Sequence, residues 1–97
     1  MSRFARKKDA NQNPIVDMLV DAGYSVQDMS TVGGGLTDLL VGGIDRNTGE
    51  PRNWLFEVKT AKGKLNPLQV QWHAAWRGPV HVIRTIDEAY AILGVTR

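Results

Sequence analysis

Apolar residues recur along this chain at intervals that change from helical to strand-like and back. Between residues 9 and 23, Ile15, Val16, Leu19, Val20 and Ala22 share one helix face, and Gly23 supplies a stop. The start of this helix has two readings. Asp9 with Gln12 has capping-box spacing but leaves Pro14 in the interior, whereas Asn13 as cap puts Pro14 at the first helical position. Residues 24–30 read as a strand, and residues 36–41 as a second strand ending at Gly42-Gly43. Between them, Gly33-Gly34-Gly35 forms a flexible loop that lets backbone approach something closely. Residues 45–53 are dense in turn formers and predict a hairpin connection into a third strand, 54–60.

The second half is punctuated more clearly. Asn66 as cap, Pro67 at the first helical position and Gln69 at the third predict a helix to about Arg77, with Leu65 stapled onto Val70. A fourth strand follows over residues 80–84. Thr85-Ile86-Asp87-Glu88 is a capping box that opens a last helix ending near Gly94. The order α-β-β-β-α-β-α makes strand three, helix and strand four a crossover unit with parallel strands. The expected fold is α/β: a mixed four-stranded sheet flanked by helices. Residues 1–8 read as a flexible basic arm, and residues 9–97 as a single domain.

Length and composition narrow the class. A 97-residue chain is one small domain with a thin core, which dimerisation would supplement. Hydrophobic residues at 42% and charged residues at 23% exclude a disordered chain. The absence of cysteine excludes disulfides, thiolate metal sites and a cysteine nucleophile. No apolar run is long enough for a membrane span, and no apolar segment follows the basic N-terminus, so a cytoplasmic protein is expected. Net charge is only +2, but it is clustered: Arg3, Arg6, Lys7 and Lys8 at the N-terminus, then Lys59, Lys62 and Lys64. Two such clusters suit a polyanion such as nucleic acid; a solvated tail and loop is the plainer reading.

Candidate chemistry rests on carboxylates. There is no phosphate-binding glycine motif, Ser25 and Ser30 have no evident base, and His73 and His81 lack metal-ligand spacing. His73 reads as a helix-surface residue beside Trp72 and Trp76, and His81 as a strand residue. Asp38 is embedded in Leu36-Thr37-Asp38-Leu39-Leu40-Val41, and Glu57 in Trp54-Leu55-Phe56-Glu57-Val58-Lys59. A charge in such a strand is unfavourable unless paired, hydrogen-bonded or bound to a metal. Alternation puts Leu55, Glu57 and Lys59 on one face and Trp54, Phe56 and Val58 on the core face. Two carboxylates beside an ammonium suit Mg2+ or Mn2+, with Lys59 orienting a nucleophile or stabilising a developing anion. A purely structural Asp–Lys–Glu cluster has the same sequence signature.

The segments Gly35-Leu36-Thr37-Asp38-Leu39-Leu40-Val41-Gly42, Leu55-Phe56-Glu57-Val58-Lys59 and Leu65-Asn66-Pro67-Leu68-Gln69-Val70-Gln71-Trp72, in this order, resemble the PD-(D/E)XK nuclease superfamily. More narrowly they resemble its virus-type replication-repair nuclease (VRR-NUC) domain, whose closing strand and helix are similar to residues 78–93. The resemblance implies a restriction-endonuclease-like core, with Asp38, Glu57 and the Val58 carbonyl holding Mg2+ or Mn2+. It implies Lys59 as catalytic lysine and Gln69 as a helix glutamine turned toward the site. Stand-alone members look like Holliday-junction resolvases, which implies a homodimeric endonuclease on branched or four-way DNA, and it suggests a phage or prophage source. Two positions depart from the pattern. Thr37 stands where the family has proline, and Pro14 stands where relatives often carry a metal-site glutamate; Asp9, Gln12 and Asp17 are the candidates to replace it.

DNA contacts are expected from Arg6, Lys7, Lys8, Lys62 and Lys64, with backbone approach at Gly34. Gln69 has a second reading as a helix cap alone, and Trp72 and Trp76 read as core or dimer contacts. Two rival functions remain on this reading: a catalytically silent DNA-binding module of the same fold, and a small interaction protein whose dimer surface is its function.

Overall fold

In the computed structural model, which describes residues 12–96, seven elements follow one another: α1 (Gln12–Asp21), β1 (Ser25–Asp28), β2 (Leu39–Ile44), β3 (Pro51–Val58), α2 (Pro67–Ala75), β4 (His81–Ile83) and α3 (Ile86–Leu93). The strands form one mixed sheet in the order β1-β2-β3-β4. β1–β2 and β2–β3 are antiparallel, and β3–β4 is parallel, as a crossover through α2 requires. The expected arm at residues 1–8, with Arg6, Lys7 and Lys8, lies outside the described residues, as do helix positions 9–11.

Local signals explain the helix ends. Gly23 takes φ 98°, and the bonds Tyr24 N–H to Leu19 O and Gly23 N–H to Val20 O, both 3.0 Å, close α1 in a Schellman turn. That turn folds the chain straight back into β1. Both predicted capping boxes form, at Asn66 with Gln69 and at Thr85 with Glu88, and Gly94 ends α3 in the left-handed conformation. Pro14 is the third residue of α1, and Asn13 is helical rather than its cap. A proline is tolerated there because first-turn N–H groups lack intrahelical acceptors.

Strand boundaries differ more. Gly42 and Gly43 lie inside β2, paired with Asn53 and Arg52, so the hairpin is tighter than residues 45–53. Its turn is closed by Asp45, whose N–H bonds Glu50 O and whose carboxylate accepts Asn47 N–H. Asp38 immediately precedes β2, and Lys59 immediately follows β3; neither is a strand residue. α2 stops at Ala75, capped by Trp76, and Val70 is half-exposed rather than stapled inside.

The core occupies one face of the sheet. Leu39 pairs with Phe56 and Val41 with Trp54, and these side chains pack with Val58, with Ile15 and Leu19 of α1, and with Ala89, Tyr90 and Leu93 of α3. The Tyr90 hydroxyl donates to Met18 O at 3.3 Å, tying α3 to α1 on this side. Glu57, one residue from Phe56, points through the opposite face, where α2 lies.

Candidate active site

The residues singled out around strands two and three do converge. Asp38 precedes Leu39, whose partner is Phe56, so Asp38 sits opposite Glu57 at one end of the sheet. Asp38, Glu57 and Lys59 are all buried, Glu57 completely. The Val58 N–H, which strand geometry turns toward β2, donates to Asp38 Oδ2 at 2.8 Å. The Val58 carbonyl points the same way, because a strand residue presents N–H and C=O to the same neighbour. On the other side, the Lys59 N–H continues the parallel ladder, donating to Ile83 O at 3.0 Å. The Met29 N–H donates to the Asp38 backbone carbonyl at 2.7 Å, so the end of β1 fixes Asp38 as well.

From above, α2 contributes two side chains one turn apart. Gln69 divides its amide: Oε1 accepts the Asn66 N–H at 2.9 Å, and Nε2 donates to Glu57 Oε2 at 3.1 Å. The capping and site-directed readings of Gln69 are therefore both realised, through different atoms. His73 Nε2 lies 3.2 Å from Glu57 Oε1. An ionised carboxylate only accepts, so in this contact the hydrogen sits on His73 Nε2. Burial holds the His73 pKa below its ordinary value, opposed by the negative charge of Asp38 and reinforced by Lys59. His73 is thus not the surface residue its sequence context implies. The missed signal was its four-residue spacing from Gln69, which puts both on one helix face.

Trp72 and Trp76 stack on one another with centroids 4.9 Å apart, and Trp76 is 49% exposed, so they are not core residues. Ser30 does find a partner, donating through Oγ to Asp28 Oδ1 at 2.6 Å in an Asx-type turn. Among the candidates to replace the helix glutamate, Asp17 is exposed and Asp9 lies outside the described residues. Gln12 is fully buried, and neither of its amide atoms has a hydrogen-bond partner among the described residues; the same holds for Thr37 Oγ1, beside Asp38. Because α1 turns back into β1, Gln12 lies toward the end of the sheet where β1 reaches Asp28.

The rim is formed by two loops. Gly35, at φ 83°, lies against the start of α2: a Cβ there would collide with the Leu68 carbonyl. The close backbone approach of the glycine loop is therefore to the protein's own helix. Gly34 is exposed at φ 68° with open space beside it. Lys62 and Lys64 are exposed on the loop after β3. Arg84 holds that loop, donating through Nη1 to Thr60 O and Gly63 O, each at 2.6 Å.

A cleft of about 760 Å3 lies elsewhere; Arg52, Trp54, Trp76 and His81 line it at the sheet end that carries the β2–β3 hairpin. The site is a buried polar cluster under a loop rim rather than a deep pocket. Among the described residues, no three His, Asp or Glu side chains form a group able to hold a metal ion, and no helix is long and apolar enough to cross a membrane. Compared with protein-family models, curated proteins and solved structures, the chain finds no match.

Proposed function

We propose that this protein is a metal-dependent DNA endonuclease of the VRR-NUC type within the PD-(D/E)XK superfamily, acting as a homodimer on branched or four-way DNA. The observation that carries the reading is the buried Asp38–Glu57–Lys59 cluster at the ends of adjacent strands. Two carboxylates and one ammonium leave a formal charge of −1 in a desolvated place. A divalent cation with oxygen preference would balance that charge, and the donor chemistry fits Mg2+ or Mn2+, which keep several waters beside few protein ligands. Asp38, Glu57 and the Val58 carbonyl would hold it. When bound, such an ion supplies Lewis-acid stabilisation of a phosphoryl oxygen and eases deprotonation of water.

The chain's own residues define the remaining roles. Gln69 and His73 orient the Glu57 carboxylate, and the Val58 N–H orients that of Asp38. Lys59, buried two residues after Glu57, carries an ammonium suited to the anion that develops as a phosphodiester is attacked. Lys62 and Lys64, on a loop anchored by Arg84, would meet phosphates at the rim, as would the exposed backbone at Gly34.

A second reading, a silent DNA-binding module of the same fold, is favoured by one observation: the described residues offer two carboxylates but no third side-chain ligand, with exposed Pro14 at the glutamate position. A cleavage assay with Mg2+ or Mn2+ separates them, comparing a four-way junction with linear duplex, for wild type, Asp38→Asn and Lys59→Ala. Symmetric junction nicks lost in both variants support the enzyme. Junction binding without cleavage, and no Mn2+ heat dependent on Asp38 and Glu57, supports the silent module.

A further inference from the structure

The β4 side of β3 is left open over part of its length. Alternate residues of β3 turn their backbone groups toward β4, as the Lys59 N–H bond to Ile83 O shows, so Asn53, Leu55 and Glu57 face the same way. β4 begins only at His81, opposite Phe56. The Leu55 N–H and both backbone groups of Asn53 therefore lie beyond the start of β4, and they have no backbone partner among the described residues. Asn53 and Leu55 line the cleft of about 760 Å3, together with Arg52, Trp76 and His81. Trp72 stacks on one face of the Trp76 ring, yet Trp76 remains 49% exposed. The cleft thus joins an aromatic wall to an unused backbone run of donor, acceptor and donor: Asn53 N–H, Asn53 C=O and Leu55 N–H.

We propose that this cleft holds an unpaired nucleobase, stacked against Trp76 with its Watson–Crick edge on the open edge of β3. The proposal deepens the nuclease reading by naming where a branch places its unpaired strand, and it rests on that reading for its polyanion. Hydrogen-bond complementarity identifies the occupant. The Watson–Crick edge of every base sets a donor beside an acceptor, and thymine, with acceptor, donor and acceptor, is the counterpart of the whole β3 run. In a duplex that edge is taken up by pairing, so the cleft selects unpaired bases, which proteins hold by aromatic stacking and by bonds to this edge. Charge agrees. Arg52, its side chain 59% exposed, meets Asp45 through one long contact of 3.4 Å, and exposed Arg77 follows Trp76, so two guanidinium groups are at hand for flanking phosphates. Asp45, the one acid of the lining, is buried in its own turn. An extended peptide is the poorer occupant: Pro51, the next residue on this edge, has no N–H, so an added strand would find three backbone groups and then a gap. Leu55 and Asn53 precede Glu57 by two and four residues, about 7–13 Å along the strand, so a base held here sits within a few nucleotides of a phosphodiester at Asp38 and Glu57.

Fluorescence anisotropy of a short labelled thymidine oligonucleotide, with the full chain and EDTA in place of metal, tests this. Wild type is expected to bind it. An oligonucleotide with the same phosphates but abasic sugars should bind at least about 5-fold more weakly, as loss of a stacked base does. One carrying N3-methylthymine, which keeps the ring but loses the donor for Asn53 C=O, should also bind more weakly. Trp76→Ala should weaken thymidine binding at least about 5-fold with unchanged far-UV circular dichroism, whereas Val20→Ala, at an equally exposed apolar residue of α1, should not. In amide NMR spectra, thymidine monophosphate should shift the Asn53 and Leu55 signals. Equal binding of the abasic and thymidine strands, or shifts confined to the loop of Lys62 and Lys64, overturns the proposal. So do shifts at Asn53 and Leu55 produced by a Thr-Val repeat peptide and not by the nucleotide, which would make the edge a peptide site. Because binding is read without metal, base-dependent binding by a chain that cleaves nothing supports the cleft while refuting the enzyme. Junction cleavage without base-dependent binding does the reverse.

Discussion

Replacing Gln69 by methionine separates the two tasks its amide performs. Methionine keeps most of the volume, so the cavity contribution is small. Loss of the bond from Asn66 N–H to Oε1 removes half of a capping box, about 0.5–1 kcal/mol. Loss of the Nε2 donor to buried Glu57 removes a hydrogen bond to a charged group, about 1.5–3 kcal/mol. The sum, about 2–4 kcal/mol, is a large part of the ~5–10 kcal/mol expected for so small a domain. Asn66→Ala is the control: it loses the cap to the Gln69 N–H but keeps the Glu57 contact, at about 1 kcal/mol. Urea unfolding followed by fluorescence reads both through buried Trp54. With a slope of about 1–2 kcal/mol per molar urea, the midpoint should fall by about 1–4 M for Gln69→Met and by about 1 M or less for Asn66→Ala. Equal shifts would show that Gln69 is a helix cap alone and that Glu57 draws nothing from it.

Three further outcomes are expected. Burial lowers the folded-state pKa of His73 relative to the unfolded chain, so its contribution to stability is fully present above the unfolded pKa and is lost as pH falls through the folded value; urea titrations should show a decline in this window that His73→Asn lacks, and identical profiles would refute it. Gln12→Met, which removes a buried amide without a described partner, should raise stability by about 1–3 kcal/mol and the Tm by several degrees; a lower Tm would show the amide to be satisfied. Gly35→Ala should destabilise more than Gly34→Ala, since both pay about 1–2 kcal/mol for left-handed backbone but only Gly35 abuts the Leu68 carbonyl; thermal melts giving equal losses would refute the contact.

What could be read from the sequence follows the range of the interaction. Caps at Asn66 and Thr85 and the stop at Gly23 depend on residues within one turn, and they formed as expected. The ends of β2 and β3 depend on partners seven to seventeen residues away, so the pairing of Gly42 with Asn53 leaves no local signal and the glycines read as a strand end. The carboxylates stood out because charge in apolar surroundings is costly, yet the bond that holds Asp38 comes from Val58, twenty residues on. His73 and Gln12 were legible only as positions: His73 four residues after Gln69, and Gln12 on the Ile15–Leu19 face.

The two hydrogen bonds that Arg84 Nη1 donates to Thr60 O and Gly63 O have a consequence for any polyanion that approaches the basic loop. A guanidinium at the end of β4 fixes the backbone that carries Lys62, so little chain entropy remains to be lost on contact. Affinity at this rim is then set by geometry as much as by charge. Arg84→Lys, which keeps the charge but replaces the planar guanidinium with a flexible ammonium, would slacken the loop and weaken binding without altering the number of cations.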